Sequence, residues 1–136
     1  MSATIRDVME IELVTVAPTT MMIEAAGAMS SARVGSVLVL DEGRLVGILT
    51  ERDILGAFER SRADPARVSP VSACMTPDPQ TIAADATVGQ ALDQMLSGGF
   101  RHLPVLDGEA LVGVVSMRDL ARSISKDPTL GREGGR

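Results

Sequence analysis

Aromatic side chains are nearly missing from this chain: Phe58 and Phe100 stand alone in 136 residues, with no Trp and no Tyr. That shortage argues against single-strand nucleic-acid binding of the kind that stacks bases on aromatic platforms. Positive charge is also scarce. Thirteen Lys and Arg against 18 Asp and Glu leave a net charge of −5, so DNA or another polyanion is a poor partner. A small anion held by a few local cations remains compatible with that balance. The single Cys74 cannot form an intrachain disulfide, and with His102 as the one histidine it cannot build a Cys-rich metal site. Its plain reading is a small, buried or half-buried hydrophobe. No apolar run is long enough to span a bilayer, and Met1–Asp7 lacks the apolar core of a signal peptide. A cytoplasmic protein with no nucleic-acid or membrane partner is expected.

What the chain does have is an internal copy. Leu45-Val46-Gly47-Ile48-Leu49-Thr50-Glu51-Arg52-Asp53 returns sixty-six positions later as Leu111-Val112-Gly113-Val114-Val115-Ser116-Met117-Arg118-Asp119. The register extends without a gap. Met9 matches Met75, Thr15 matches Thr81, Ala25 matches Ala91, Met29 matches Met95, and Val39-Leu40-Asp41 matches Val105-Leu106-Asp107. A tandem repeat of this kind predicts a pseudo-twofold object with two equivalent clefts. The length suits one domain made of two halves, neither large enough to be comfortable alone. With 45% hydrophobic residues and 1% aromatic, the core must be aliphatic, with eight Met among its candidates.

Each half reads alike. In the first, a helical turn over Ile5–Met9 precedes a short extended piece, Val14–Val16. Pro18-Thr19-Thr20 then starts an amphipathic helix carrying Met22, Ala25, Ala26 and Met29 at helical spacing. Val37–Leu40 and Leu45–Leu49 form a hairpin about the Asp41–Arg44 turn, and Thr50 opens a helix through Phe58. In the second, Thr81-Ile82, Thr87–Leu96, Leu103–Leu106, Leu111–Val115 and Ser116–Ile124 repeat the order. The expected division is repeat 1 over 5–60, a linker over 61–70 with Pro65 and Pro70, repeat 2 over 71–125, and a disordered, dispensable Gly-rich tail over 126–136.

Thr50-Glu51-Arg52-Asp53 and Ser116-Met117-Arg118-Asp119 have two readings. A hydroxyl residue followed three positions later by an acid is a helix capping box. The same carboxylate, near a helix start, can also accept both hydroxyls of a ribose, while the Ser or Thr and nearby N–H groups meet a phosphate. Gly47 and Gly113 would admit a ligand or an opposing backbone at close range. Arg101-His102, just before a strand, form a basic pair at the mouth of a cleft. Their counterparts Gly35-Ser36 carry no charge, so the two clefts are chemically unequal.

Asp7-Val8-Met9, the two Gly-x-x-Thr/Ser-x-Arg-Asp ends and Arg101–Asp107 together resemble the CBS domain family, named for cystathionine β-synthase, over about Ile5–Ile124. The resemblance is to a freestanding tandem CBS pair, or Bateman module. It implies an α+β fold of two β-α-β-β-α repeats related by pseudo-twofold symmetry, with three-stranded sheets packed face to face, and assembly as a homodimer. It also implies adenosyl ligands in the clefts (AMP, ADP, ATP, S-adenosylmethionine or a dinucleotide) and an unknown effector protein that reads the bound state.

Carried over residue by residue, the resemblance implies one cleft with Thr15, Gly35, Ser36, Arg101, His102, Ser116 and Asp119. Asp119 would hold the ribose, Ser116 and Arg101 the phosphate, and the backbone around Thr15 the adenine edge. The other cleft would combine Thr81, Thr50 and Asp53. The Asp119 cleft is favoured for phosphorylated ligands because charge-assisted bonds from Arg101, and from His102 when protonated, are the stronger ones. Arg33 is a further cation whose place the sequence does not give.

No nucleophile–base pair, metal-ligand cluster or P-loop is present. No catalytic residue, metal or required cofactor is therefore expected, and the leading function is a non-enzymatic sensor of an adenine nucleotide or S-adenosylmethionine. The alternative is an assembly protein whose clefts bind no nucleotide. A metal or redox sensor using Cys74 and His102 has too few ligands in one chain.

Overall fold

The structure, a computed structural model, describes residues 3–60 and 69–126. Residues 61–68 of the expected linker and 127–136 of the expected tail lie outside the described residues, and Lys126 closes a helix. In chain order the elements are α1 (Ile5–Val8), β1 (Thr15–Val16), α2 (Met22–Ala32), β2 (Ser36–Asp41), β3 (Arg44–Thr50) and α3 (Glu51–Arg60). After a 3-10 turn at Val71–Ala73 come β4 (Thr76–Pro77), β5 (Ile82–Ala83), α4 (Val88–Gly98), β6 (His102–Asp107), β7 (Ala110–Ser116) and α5 (Met117–Lys126).

These elements make two compact units, and the units do not follow the repeats. One runs from Leu13 to Pro79. The other joins the chain up to Glu12 to the chain from Gln80 onward. Each therefore consists of most of one repeat and the opening segment of the other. In the discontinuous unit, Ile5 N–H donates to Ala86 O at 2.8 Å and Arg6 N–H to Ala84 O at 2.9 Å. In the continuous one, Val71 N–H donates to Thr20 O at 2.7 Å and Ser72 N–H to Pro18 O at 3.0 Å. The same bonds recur at the sixty-six-residue offset, with the opening segments exchanged.

Both sheets hold the same register. In the Leu13–Pro79 unit β1 runs parallel to β2 (Val16 beside Val39), and β2 is antiparallel to β3 (Ser36 beside Thr50), with a bulge between Val39 and Leu40. In the other unit Ile82 lies beside Val105 and His102 beside Ser116, with the bulge between Val105 and Leu106. The mixed α+β class is the one expected, but the three-stranded count needs correction in one sheet. Thr76–Pro77 adds a fourth strand along Gly47–Ile48, giving the order β1-β2-β3-β4. The equivalent stretch of the other unit forms only a single bridge, Glu10 to Val114, beside the three-stranded sheet β5-β6-β7.

The first long helix starts later than the sequence suggests. Thr20 accepts from Ala17 N–H at 3.1 Å within a turn, and α2 begins at Met22 with Met21 as an N-cap that makes no side-chain bond. Its counterpart α4 is capped by Thr87, whose hydroxyl oxygen accepts Gln90 N–H at 3.1 Å while Gln90 returns a bond to Thr87 N–H at 2.9 Å. Neutral Met cannot satisfy the free N–H groups that Thr satisfies there.

The cores are aliphatic, as the composition requires. In the discontinuous unit Ile5, Ala91, Leu103, Val105, Val115 and Leu120 are fully buried, with Met95 nearly so. In the other, Ala25, Val37, Val39, Leu49 and Val71 fill the same role with Met29. Each fully buried Val, Ile or Leu contributes about 1.5–3 kcal/mol through the area it removes from water. Ile5 and Val71 are thus core residues of units otherwise built by the opposite repeat. Replacing Ile5 by Ala should cost about 2–5 kcal/mol. Native-state hydrogen exchange on that variant should show protection lost first in β5, β6 and β7; loss first in β2 and β3 would contradict the exchange.

Candidate functional site

The two units carry one arrangement each, at the end of a hairpin where the last strand passes into a helix. In the Leu13–Pro79 unit, Ser36 opens β2 opposite Thr50, the last residue of β3. Glu51 N–H donates to Gly35 O at 3.2 Å, so the helix start is tied to the strand start. Asp53 sits in the first turn of α3. Its Oδ2 accepts both Thr50 N–H at 2.8 Å and the Thr50 hydroxyl at 3.1 Å, and Asp53 N–H returns to Thr50 Oγ1 at 3.3 Å. Thr15 opens β1, exposed, two cross-strand positions from Ser36 through its pairing with Leu38.

In the other unit His102 opens β6 opposite Ser116, and Met117 N–H donates to Arg101 O at 2.8 Å. Asp119 Oδ2 accepts Ser116 N–H at 2.9 Å, and Asp119 N–H donates to Ser116 Oγ at 3.1 Å. Among the described residues Ser36 and Asp119 are the buried polar or charged ones, at 7% exposure each. Thr81 lies just before β5, half-buried, and its carbonyl oxygen accepts Gln94 Nε2 at 3.1 Å. Within one unit, then, Thr15, Gly35, Ser36, Thr50 and Asp53 share a strand-end neighbourhood. Within the other, Arg101, His102, Ser116 and Asp119 do, with Thr81 on the adjoining strand.

Both Ser/Thr–Asp sets are capping boxes in fact, and this leaves a usable chemistry. Asp53 spends one oxygen on the cap, and its Oδ1 accepts nothing from any described residue. Ser116 differs from Thr50 in that its hydroxyl donates to no described residue, so its proton is available to a ligand. Arg101 is exposed and His102 half-buried. Arg33, unplaced by sequence, is the αL C-cap of α2 (φ 57°), where Gly99 closes α4 (φ 71°). Its side chain is exposed. Cys74 is half-buried against the cores containing Met22 and Val71. Among the described residues no group of three or more His, Cys, Asp or Glu could hold a metal ion.

The two strand glycines turn out to make room for the exchanged segments. A Cβ on Gly47 would strike the Met75 side chain. A Cβ on Gly113 would meet Met9 Sδ at 2.6 Å and, at 2.9 Å, the backbone oxygen of Glu10. A Met side chain can bend away; a carbonyl bonded to Val114 N–H at 3.0 Å cannot. Gly113→Ala should therefore cost about 1–3 kcal/mol and Gly47→Ala less, as read by urea denaturation; equal costs would argue against the backbone contact.

Glu10 is the residue that sequence reasoning missed. Its carboxyl, on an exposed residue, is pushed above the ordinary carboxylate range, chiefly by the like charge of Asp119, with partial desolvation and hydrogen bonding with Asp119 adding to it; Arg122 opposes the shift and Glu12 adds to it. The available signal was an asymmetry of the repeat, since the position matching Glu10 is Thr76. A carboxyl that binds its proton more tightly folded than unfolded adds stability at acid pH and loses it as pH rises through the raised value. Glu10→Gln should accordingly raise Tm over the parent protein more at about pH 8 than at about pH 5; a constant difference would show that the two carboxyls do not interact.

Comparison with known proteins places this fold in a family. The CBS domain model matches residues 5–60 and again 71–126, and the chain belongs to the CBS domain family as a tandem pair. It is 44% identical over 111 residues to a 17.7 kDa protein of Acidianus ambivalens, covering 80% of this chain and 65% of that one. It is 36% identical over 110 residues to a meiotically up-regulated protein of Schizosaccharomyces pombe, covering 80% of this chain and 15% of that one. The chain thus spans less than two thirds of the length of these curated relatives. A CBS-domain protein from Agrobacterium tumefaciens superposes with a TM-score of 0.82 at 30% identity, over 89% of this chain and 98% of that one. Two more distant structures share the fold: the CBS pair of MJ0100 with 5′-methylthioadenosine and S-adenosylmethionine (TM-score 0.78, 22% identity, 90% and 95% covered), and CBSX2 with AMP (0.77, 23%, 92% and 98%).

Proposed function

We propose that this protein is a non-enzymatic regulatory module that binds adenosyl ligands, AMP, ADP, ATP or S-adenosylmethionine, and conveys the bound state to an effector protein. The observation that carries the reading is the repeated carboxylate at a strand-to-helix junction, anchored through one oxygen and flanked by a hydroxyl. A ribose presents two adjacent hydroxyl donors, and a carboxylate with lone pairs to spare is their natural acceptor. Asp119 and Asp53 take the ribose in this reading, and Ser116, Arg101, His102 and Thr50 face the phosphate side. Thr15, Gly35, Ser36 and Thr81 supply strand-end backbone and small side chains against the base. Two solved pairs of the same fold hold AMP, or 5′-methylthioadenosine with S-adenosylmethionine, which supports the ligand class.

Catalysis is not part of this reading, because the sequence carries no recognised catalytic motif such as a P-loop or a metal-ligand cluster. A homodimer acting in the cytoplasm completes the proposal. No helix among the described residues is long and apolar enough to cross a membrane. The second reading, an assembly protein with non-binding sites, is favoured by the capping bonds themselves, because they give both Asp residues a purely structural use.

A thermal-shift panel with AMP, ADP, ATP, S-adenosylmethionine and NAD separates the two. A ligand at a hundred times its dissociation constant stabilises the fold by about 2.7 kcal/mol. Asp119→Ala and Asp53→Ala each remove a cap worth about 1 kcal/mol, so the quantity read is the difference with and without ligand. A shift abolished by Asp119→Ala identifies a sensor and its working site; no shift with any ligand supports the assembly reading.

A further inference from the structure

Among the described residues the large apolar side chains left exposed are Ile11, Ile23, Leu55, Phe58 and Leu96. Ile11, Ile23 and Leu96 stand singly, but Leu55 and Phe58 share one short helix, α3, at 70% and 45% exposure. Three positions apart, they are neighbours on its outer surface. The inner side of α3 is closed, with Ala57 buried in a cluster with Met22 of α2. A single exposed Leu is ordinary; what marks this pair is the set of charges around it.

Arg52, Leu55, Gly56 and Glu59 follow at steps of three, one and three, which places them in one stripe along the helix. Turned end for end, that stripe is its own complement. Arg52 falls on Glu59, Leu55 on Gly56, and one step outward Glu51 falls on Arg60. Gly56 supplies the notch. Apart from the backbone of its own helix, only the far end of the Arg60 side chain lies near the place of its Cβ, with Nη1 at 3.1 Å. That flexible end can swing aside. The ion pairs among the described residues are both made by Arg6, with Asp85 and Asp107, so none of the four charges on α3 is spent in one.

The copied helix lacks this device. In α5 the equivalent stripe is Arg118, Ala121, Arg122 and Ser125. It has two cations, no acid and no large apolar side chain, so turned on itself it sets guanidinium over Ala121 and leaves its charge unanswered.

Resting on the homodimer reading above, we propose that α3 is the surface through which two copies of this chain associate. The two α3 helices pack antiparallel about a twofold axis that passes between Leu55 and Gly56. Each Arg52 meets the partner's Glu59 and each Leu55 seats on the partner's Gly56, with Phe58 at the flank. Twofold symmetry makes every contact occur twice. Ten residues span about 15 Å, so α3 is the centre of the contact, where apolar anchors hold and charges fix the direction. Because α3 opens directly after Thr50, the pairing joins the two Asp53 sites of the dimer and not the Asp119 sites.

Sedimentation velocity of the full chain over a dilution series reads the association. The parent should dimerise, and Leu55→Asp should raise the dissociation constant by about tenfold or more, as loss of a desolvated anchor does. Arg52→Glu and Glu59→Arg should each weaken the dimer by about tenfold at low salt, because each sets two like-charge pairs across the seam. Both changes in one chain restore opposite charges and should bring the affinity back toward the parent value. Neither reversal opposes the helix itself, since an acid near its start and a base near its end suit its dipole; circular dichroism checks that each variant is folded, and Leu55→Gln serves if Leu55→Asp is not. A parent monomeric at every concentration overturns the homodimer reading and the proposal together. A dimer that survives Leu55→Asp, or that is lost with Ala121→Asp instead, keeps the homodimer and overturns the α3 surface. Charge reversals that add without rescuing one another overturn the antiparallel pairing.

Discussion

Ile5 and Val71 hold the molecule's organisation in place. Each is fully buried, each sits in the core of a unit built mainly by the opposite repeat, and each brings with it a short segment bonded to the turn before that unit's own long helix, α4 for Ile5 and α2 for Val71. Without that segment a unit of about sixty residues would lose part of its core, and a core that small is marginal to begin with. Met9 over Gly113 and Met75 over Gly47 continue the same contact. Flexible thioethers suit the task because they fill irregular space that branched side chains would not. An aromatic-poor chain with many Met is a chemical match for this mode of closure.

The candidate sites depend on that closure in unequal ways. The strand-to-helix junctions are local, fixed by the capping bonds of Thr50 with Asp53 and Ser116 with Asp119. What lies beside each junction is imported. The segment ending at Thr76 brings a neutral hydroxyl residue alongside Ile48; the segment ending at Glu10 brings an acid alongside Val114. Two sites that the duplication would make twins are therefore distinguished by residues from outside the copied hairpin, as well as by the Arg101-His102 pair that Gly35-Ser36 does not match.

Much of this was legible in the sequence. The gapless offset foretold the same order of elements in both halves, and the structure adds that the two hairpins share one register, with bulges at the equivalent Val39–Leu40 and Val105–Leu106. The hydroxyl-to-Asp spacing foretold both caps. The exchange of opening segments was not legible, for a physical reason: equivalence between Met9 and Met75 says which positions play the same part, and nothing about which half each one packs against. The fourth strand escaped for the same reason. So did the uncapped start of α2, because Pro18-Thr19-Thr20 offers hydroxyls that the chain uses in the preceding turn instead of at the helix. Glu10 was visible as an unmatched acid, but its neighbour Asp119 is more than a hundred positions away.

The exchange also sets an order of events for a chain made from its amino end. The unit from Leu13 to Pro79 has all its parts once residue 79 has been added, and it needs nothing from outside that stretch to form its core. Ile5 and Met9, made first, have no core to enter until Val115 and Leu120 exist. The discontinuous unit must therefore close a loop around a finished neighbour, which makes it the slower of the two to form. During that interval the segment carrying Ile5, Val8 and Met9 has apolar side chains with no core to enter, open to capture by the same unit of another copy as it emerges.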